Sequence, residues 1–173
     1  MKRWLIILAA APTLLAALLV WANHHETPLP MDARADLVVV EKSKRRLTLY
    51  AQGRPLKSYV VSLGRAPVGA KEREGDKKTP EGRYLIDFRK ADSAYFRALH
   101  ISYPSAADSA TARKNGVPPG GAIMIHGQRN GFGWVGKLHR LRDWTLGCVA
   151  LTNQEMAELW RAVPDGTPIE LKP

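Results

Sequence analysis

Two residues in this sequence have neighbouring residues that suit nucleophilic catalysis. Cys148 is the only cysteine of the chain, and it follows Gly147, which lets the backbone approach a substrate closely. His126 ends the apolar run 122–125, so a buried strand would hold its imidazole in one position. A thiol becomes a strong nucleophile when a neighbouring imidazole removes its proton. We therefore predict that Cys148 is a nucleophile and that His126 is its base.

Cys148 and His126 each have a purely structural interpretation as well. A lone cysteine is commonly a small buried hydrophobe, and a histidine at the end of a strand commonly makes only a structural hydrogen bond. If the pair is catalytic, the amides of Gly147 and Cys148 are placed to hold the developing oxyanion. One cysteine and scattered histidines offer no ligand spacing for a metal, and no cofactor is expected.

The net charge and the N-terminal segment together restrict the classes of molecule that the protein could bind. Lysine and arginine outnumber the acids 26 to 16, a balance found in proteins that bind nucleic acid, membrane surfaces or anionic polymers. Lys2 and Arg3 precede the uncharged run 4–22, which predicts a secretory signal peptide or an N-terminal membrane anchor over residues 1–22. Export argues against nucleic acid and favours an anionic wall polymer. We predict an exported protein of the periplasm or cell envelope that meets the membrane only through this segment.

The remaining chain is predicted to be a linker followed by one domain. Residues 23–35 contain two histidines and two prolines and few apolar side chains, which is typical of a linker. From residue 36 the apolar patterning is continuous and shows no internal repeat, so a single domain is predicted over 36–173. With one cysteine no internal disulfide can form, and we expect a monomer.

Short runs that alternate between apolar and polar residues predict an antiparallel sheet. The predicted strands are 37–40, 47–50, 58–63, 82–88, 99–103, 122–125 and 168–171. The polar turn 42–45 is expected to be a solvated hairpin tip, and His100 is expected to be a wall or rim residue. The connection 128–143 is rich in glycine and aromatic residues and includes a possible helical turn at 138–142.

Two capping boxes predict short helices. Ser105 and Asp108 begin one helix, which the pair 115–116 ends, and Thr152 and Glu155 begin the other. The spacing of four apolar residues in the second helix predicts one buried face. These residues are Met156, Leu159, Trp160 and Val163.

The segments Ile125-His126-Gly127 and Thr145-Leu146-Gly147-Cys148-Val149 resemble the histidine–glycine and serine/threonine-x-glycine-cysteine signature of the L,D-transpeptidase (YkuD-like) catalytic domain. Further segments agree with the family in their order: 37–50, 62–64, 75–84 and 99–103. The resemblance covers about residues 36–172. It implies a mainly β domain with a few short helices, arranged as a β-sandwich or barrel-like YkuD fold.

The resemblance also implies a reaction. Cys148 would attack the carbonyl after the third residue of a peptidoglycan stem tetrapeptide, form a thioester and release terminal D-alanine. His126 would act first as base and then as acid, oriented by the carbonyl of Gly127, while amides of Gly147 and Cys148 hold the oxyanion. An amine from diaminopimelate, from the lysine of a wall-linked lipoprotein or from a free D-amino acid would then resolve the acyl-enzyme.

Two positions depart from the family pattern. Many members carry histidine where this chain has Leu146, and arginine or asparagine where it has Ala150. The chain is similar in this respect to a branch in which hydrolysis of wall peptide bonds, including detachment of lipoprotein, is an alternative to crosslinking. Thr145, Trp144 and Trp134 are expected to line the substrate cleft.

Three functions therefore remain open at this point. The first is an L,D-transpeptidase that transfers the acyl group to an amine. The second is a cysteine amidase or endopeptidase that uses the same pair of residues with water as acceptor. The third is a non-catalytic module that binds the cell wall.

Overall fold

The computed structural model of the chain describes residues 2–24 and 26–173, and the side chains of residues 2–11 lie outside that description. Its helices are α1 (Lys2–Asn23), α2 (Ala106–Lys114), α3 (Asn153–Ala162) and the 3₁₀ segment Gly133–Leu141. Its strands are β1 (Leu37–Glu41), β2 (Arg46–Ala51), β3 (Arg54–Val60), β4 (Gly82–Ser93), β5 (Phe96–Ile101), β6 (Met124–His126), β7 (Val149–Ala150) and β8 (Pro168–Lys172).

The strands form a sheet with the order β3-β2-β1-β8-β4-β5-β6-β7. The β1–β8 and β6–β7 pairs are parallel, whereas the other neighbouring pairs are antiparallel. The long strand β4 pairs with β8 at its start and with β5 further along, and its register with β5 shifts twice. Such bulges bend a sheet, and the result is a half-barrel. The predicted mainly β class with a few short helices is confirmed.

The core forms where the alternating strands turn their apolar residues inward. Val38 and Val40 of β1 and Leu47 and Leu49 of β2 are completely buried. The turn between β2 and β3 follows the prediction, because both of its central residues adopt positive φ. The first strands of the domain are therefore built as the sequence predicts.

Both capping boxes are present as predicted. Ser105 and Asp108 exchange side-chain to backbone hydrogen bonds at the start of α2, and Thr152 and Glu155 do the same for α3. The apolar face of α3 packs into the core, where three of its four predicted residues are fully buried and Trp160 is half-buried. Because α3 follows β7 directly, its cap fixes one end of the short strand that comes after Cys148.

The polar turn 42–45 is not the solvated tip that its composition suggests. Lys42 is 2% exposed, and its Nζ donates to the carbonyls of Gly69 at 2.6 Å and Thr79 at 2.9 Å and to Glu81 at 2.8 Å. A buried ammonium is stable only when it is fully bonded in this way. The partners are distant in sequence, so only the folded chain reveals that Lys42 holds the loop 64–81 against the sheet.

Several strand boundaries differ from the sequence prediction. β4 continues to Ser93 and forms a hairpin with β5, although the stretch 89–98 carries no clear alternation. The predicted strand 58–63 is shifted, because β3 ends at Val60 and Ser62 forms only an isolated bridge with Ala150. These shifts arise from tertiary pairing, which outweighs local pattern at strand ends.

The N-terminal region contacts the domain before β1 begins. Leu29 and Ala35, within the predicted linker 23–35, are buried in the core. Within the described residues, no helix has both the length and the apolar character required to cross a membrane. The predicted signal or anchor over 1–22 lies partly outside the described residues, and the domain boundaries stay a prediction.

Candidate active site

The pairing of β6 with β7 brings the segment that carries Cys148 beside His126. Ile125 is paired with Val149 and His126 with Ala150. Cys148 immediately precedes β7, and both Cys148 and His126 line a cleft at one face of the domain.

A cleft of about 1360 Å³ opens at this face. Its lining includes Met124, His126, Trp144, Thr145 and Cys148. Ligand pockets commonly measure about 300–1,000 Å³, so the cleft has room for a peptide and for a second substrate group. A smaller pocket of about 200 Å³, between the end of α1, the 3₁₀ segment and the start of α3, contains neither reactive residue.

His126 is a buried imidazole whose tautomer follows from its hydrogen bond. The side chain is 5% exposed, and Nδ1 lies 2.6 Å from the carbonyl oxygen of Gly127. A carbonyl can only accept, so Nδ1 carries the proton and donates it, which leaves the lone pair on Nε2. Burial lowers the pKa of His126, although the bond to Gly127 acts in the opposite direction. The imidazole is therefore neutral at pH 7, as a general base must be.

Aromatic rings hold the position of His126. Tyr95 lies with its ring centroid 4.6 Å from that of His126, and Trp144 meets His126 edge-on at 5.6 Å. The indole Nε1 of Trp144 donates to Nδ1 of His139 at 3.3 Å, and the Ser62 hydroxyl lies 3.3 Å from the same nitrogen. Burial lowers the pKa of His139 to about 3, so this second histidine stays neutral and its Nδ1 can accept the hydrogen bond from the indole.

Cys148 is a half-buried thiol at the edge of the cleft. Its Sγ lies 3.7 Å from the carbonyl oxygen of Ala122. Burial raises the pKa of the thiol, while the amide of Met124 and the charge of Lys71 act to lower it. The raised pKa of Cys148 and the lowered pKa of His126 both favour a resting pair of neutral thiol and neutral imidazole over an ion pair.

The hydroxyl of Thr145 organises the turn that carries Cys148. Thr145 is 4% exposed, and its Oγ1 donates to the carbonyl of Cys148 at 2.7 Å and accepts from the amide of Gly147 at 3.1 Å. Both hydrogen-bonding roles of this hydroxyl are thus used inside the turn. The amide of Gly147, which the sequence places in an oxyanion hole, is engaged by Thr145.

We expect Thr145→Val to destabilise the domain and to lower its activity. The substitution keeps the shape of the side chain but leaves the amide of Gly147 and the carbonyl of Cys148 without their partner. A buried polar group that loses its partner costs about 1–3 kcal/mol in the free energy of unfolding. Urea denaturation measures this loss, and Thr145→Ser, which keeps the hydroxyl, is the matched control. Equal stability of the valine and serine variants would contradict this role.

Two glycines allow the loop 64–81 to approach this turn. Gly147 has φ +134, and a Cβ built on it would lie 2.7 Å from the carbonyl oxygen of Lys78. A Cβ on Gly64 would lie 2.1 Å from the carbonyl oxygen of Lys77. Neither position accepts a side chain without moving the backbone, so the loop and the turn are packed as one unit.

Asp143 fastens the cysteine segment to the end of the β2–β3 region. Its Oδ1 accepts from the amide of Leu63 at 2.8 Å, and its Oδ2 accepts two bonds from the guanidinium of Arg45 at 3.0 and 2.8 Å. The amide of Thr145 then donates to the carbonyl of Leu63 at 3.1 Å. The carboxylate is mostly buried, and this pairing compensates for the loss of its hydration.

The other predicted site residues have different placements. Trp144 lines the cleft, but Trp134 does not: its ring is 61% exposed, and its carbonyl accepts a hydrogen bond from Asn23 at the end of α1. Leu146 is 67% exposed at the cleft, whereas Ala150 is completely buried. Within the described residues, no group of three or more histidine, cysteine or acidic side chains could hold a metal ion.

Sequence reasoning missed Tyr95, His139 and Asp143. Tyr95 lies in the β4–β5 hairpin, in a stretch that shows no strand pattern. His139 and Asp143 are near Trp144 in sequence, but nothing in their spacing indicates their partners. His100, which was expected at a wall or rim, bonds to Asp87 at 2.6 Å and does not line the cleft.

Comparison with known proteins identifies relatives over most of the chain. A family model described as the L,D-transpeptidase catalytic domain (YkuD) matches residues 35–171. YafK of Escherichia coli K12, a provisionally named L,D-transpeptidase, is 29% identical over 177 aligned residues. That match covers 94% of this chain and 64% of YafK, so the chain spans less than two thirds of its relative.

Solved structures share the fold. The helical cell shape determining protein Pgp2 of Campylobacter jejuni superposes with a TM-score of 0.62 at 24% identity, over 90% of this chain and 54% of that one. An L,D-transpeptidase of Xylanimonas cellulosilytica superposes with a TM-score of 0.51 at 18% identity, over 84% of this chain and 64% of that one. At such identities the likeness shows a common fold.

Proposed function

Because the chain belongs to the family of L,D-transpeptidase catalytic domains, we propose that it is a cysteine acyltransferase that acts on peptidoglycan stem peptides. Cys148 is the proposed nucleophile, His126 the proposed base, and the carbonyl of Gly127 the group that orients the imidazole. The observation that carries this proposal is that both residues line one cleft, next to the paired strands β6 and β7.

In the first half of the proposed reaction, Nε2 of His126 takes the thiol proton as Sγ of Cys148 attacks the carbonyl carbon after the third residue of a stem tetrapeptide. The C–S bond forms, and the carbonyl π electrons move to oxygen. The tetrahedral intermediate then collapses, the C–N bond to terminal D-alanine breaks, and His126 returns the proton to the leaving amine. The products are a thioester on Cys148 and free D-alanine.

The amide of Cys148 is the proposed donor to the oxyanion. The amide of Gly147 donates to Thr145 at 3.1 Å, so we assign it the role of fixing the turn, and it reaches the oxyanion only if that bond is exchanged. Loss of one oxyanion donor typically costs about 10²–10³ in rate. The conformation of the turn that Thr145 stabilises is therefore expected to affect the rate of acyl transfer.

In the second half, an amine attacks the thioester carbonyl and gives its proton to His126, and Cys148 leaves as a thiol. Diaminopimelate of another stem, the lysine of a wall-linked lipoprotein and a free D-amino acid are the proposed acceptors. Water in the same position would give hydrolysis. The cleft volume of about 1360 Å³ is consistent with a bound donor and a second group.

The proposed setting is the cell envelope. The basic and apolar order of residues 1–22 supports export, and the net charge of +10 suits an anionic wall polymer. Pgp2 is named as a determinant of helical cell shape, and the proposed chemistry would let this chain act on the wall in a comparable process. No nucleic acid is involved in the proposal.

We expect purified protein incubated with tetrapeptide muropeptides to release D-alanine and to form dimers linked between the third residues of two stems. Mass spectrometry of the products measures both changes. Such dimers support transfer to an amine. Tripeptides without dimers, or the net loss of existing links, would support the hydrolytic alternative instead.

A non-catalytic wall-binding module would give neither product. It would also leave Cys148 unmodified by a carbapenem, which acylates the nucleophile of an active enzyme. Unchanged muropeptides together with an unmodified thiol would overturn the proposed function.

A further inference from the structure

The cleft is bordered by positive charge, of which, within the described residues, only Lys90 has a carboxylate near it, at 3.7 Å in Asp92. Its described lining includes Arg65, Lys90, Arg129 and Arg142, and no aspartate or glutamate. The rest of the lining is mainly apolar or aromatic, including the exposed residues Phe132, Leu141 and Leu146. A surface of this kind attracts a ligand that combines carboxylates with apolar groups.

Five arginines outside the cleft are paired with acids. Guanidinium to carboxylate ion pairs are made by Arg45, Arg46, Arg83, Arg89 and Arg140. The side chains of Arg129 and Arg142 have no hydrogen-bond or ion-pair partner in the part of the chain that the structure describes. Their guanidiniums, which line the cleft, are therefore available for an external anion.

Arg65 is held beside the cysteine segment. Its amide donates to the carbonyl of Thr145 at 3.1 Å, and its Nε donates to the carbonyl of Trp144 at 3.2 Å. These two hydrogen bonds hold the backbone of Arg65 and the Nε of its guanidinium. Both terminal nitrogens of the guanidinium stay free. A pre-positioned fork of this kind suits bidentate binding of a carboxylate.

Arg142 comes from the same anchored segment. It follows the 3₁₀ segment in extended conformation, and the next residue, Asp143, is fixed to Leu63 and Arg45. Arg142 and Arg65 therefore project from two backbone stretches that are hydrogen-bonded to one another through Thr145 and Leu63. Their positions relative to Cys148 are set by the fold, although both side chains are exposed.

We propose that Arg65 and Arg142 bind a carboxylate of the donor peptide beside Cys148 and thereby determine substrate specificity. This inference depends on the proposed function only for the identity of the peptide. The positive charge of the cleft is independent of that function.

Alkylation of Cys148 tests the inference without any enzymatic activity. Iodoacetate and iodoacetamide attack the same single thiol but differ in charge, so changes in the pKa of Cys148 cancel in the ratio of their rates. Relative to free cysteine, we expect the wild-type ratio to favour iodoacetate. Arg65→Gln and Arg142→Gln should each lower the ratio by about two- to fivefold, and 0.5 M salt should lower it as well.

Arg113→Gln, on the exposed side of α2 and outside the cleft lining, is the matched control and should leave the ratio unchanged. An unchanged ratio in the double variant Arg65→Gln/Arg142→Gln would overturn the inference even if the enzyme is active. A lowered ratio in a protein that lacks turnover would support the cationic site and refute only the proposed function.

With an active protein, the peptide itself provides the second test. Converting the carboxylates of the donor tetrapeptide to primary amides should raise KM for the wild type about tenfold or more, with a smaller change in kcat. The same amidation should have little further effect on the double variant. Equal effects of amidation on both proteins would overturn the assignment of Arg65 and Arg142.

Discussion

Cys148→Ser is expected to lower kcat/KM for a stem tetrapeptide by about 10⁴- to 10⁶-fold. Serine keeps the size of the side chain, but the pKa of its hydroxyl lies far above that of a thiol. Burial lowers the pKa of His126, so the imidazole is a weaker base and is poorly matched to the higher pKa of an alcohol. Steady-state release of D-alanine measures the loss.

Thermal unfolding and carbapenem labelling are the controls for this variant. Sγ of Cys148 makes only a long contact, 3.7 Å to the carbonyl of Ala122, so Tm should change little. Intact-protein mass should show one carbapenem adduct per wild-type chain and none on Cys148→Ser. A serine variant that retains turnover within tenfold of the wild type would show that the nucleophile lies elsewhere.

His126→Gln is expected to lower kcat by about 10²- to 10⁴-fold, with a small effect on KM. The substitution removes the lone pair at Nε2 that accepts the thiol proton, and the raised pKa of Cys148 means that few thiols ionise without help. His100→Gln is the matched control, because His100 contacts Asp87 and Phe88 outside the cleft. Comparable losses in the two variants would indicate a structural effect and not lost base catalysis.

The pH profile distinguishes a base from a structural residue. Only neutral His126 accepts a proton, and burial lowers its pKa below the usual 6.5. Activity of the wild type should therefore be constant near neutrality and fall as the pH drops below 6.5. This acid limb should be lost in His126→Gln. A wild-type midpoint above pH 6.5 would contradict the neutral resting pair.

Much of the scaffold could be predicted because it depends on local interactions. The capping boxes at Ser105 and Thr152 bond residues that are three apart, so their side chains meet in any helix that forms there. The apolar face of α3 follows from helical periodicity alone. The turn after Ala51 needs two residues that tolerate positive φ, and Gln52-Gly53 satisfies that need.

The sequence-based predictions that were wrong or missing concern residues whose positions depend on contacts between distant segments. Lys42 is buried because its partners Gly69, Thr79 and Glu81 reach it from the loop 64–81. Tyr95 packs against His126 because β5 pairs with β6, which no local pattern of the hairpin reveals. Trp134 has the aromatic side chain expected of a cleft residue, yet it is exposed outside the cleft lining, and its backbone carbonyl accepts a hydrogen bond from Asn23 at the end of α1.

By itself, the sequence determined which residues are able to react: one thiol after a glycine, one histidine after an apolar strand, and the motif spacing that marks the family. Only the tertiary structure decided that the two line one cleft, that burial lowers the pKa of the imidazole and raises that of the thiol, and that Thr145 and Asp143 hold the turn that carries Cys148. The physical reason is that reactivity belongs to a side chain, whereas distance, burial and pKa belong to its neighbours. In this protein those neighbours come from segments far apart in the chain.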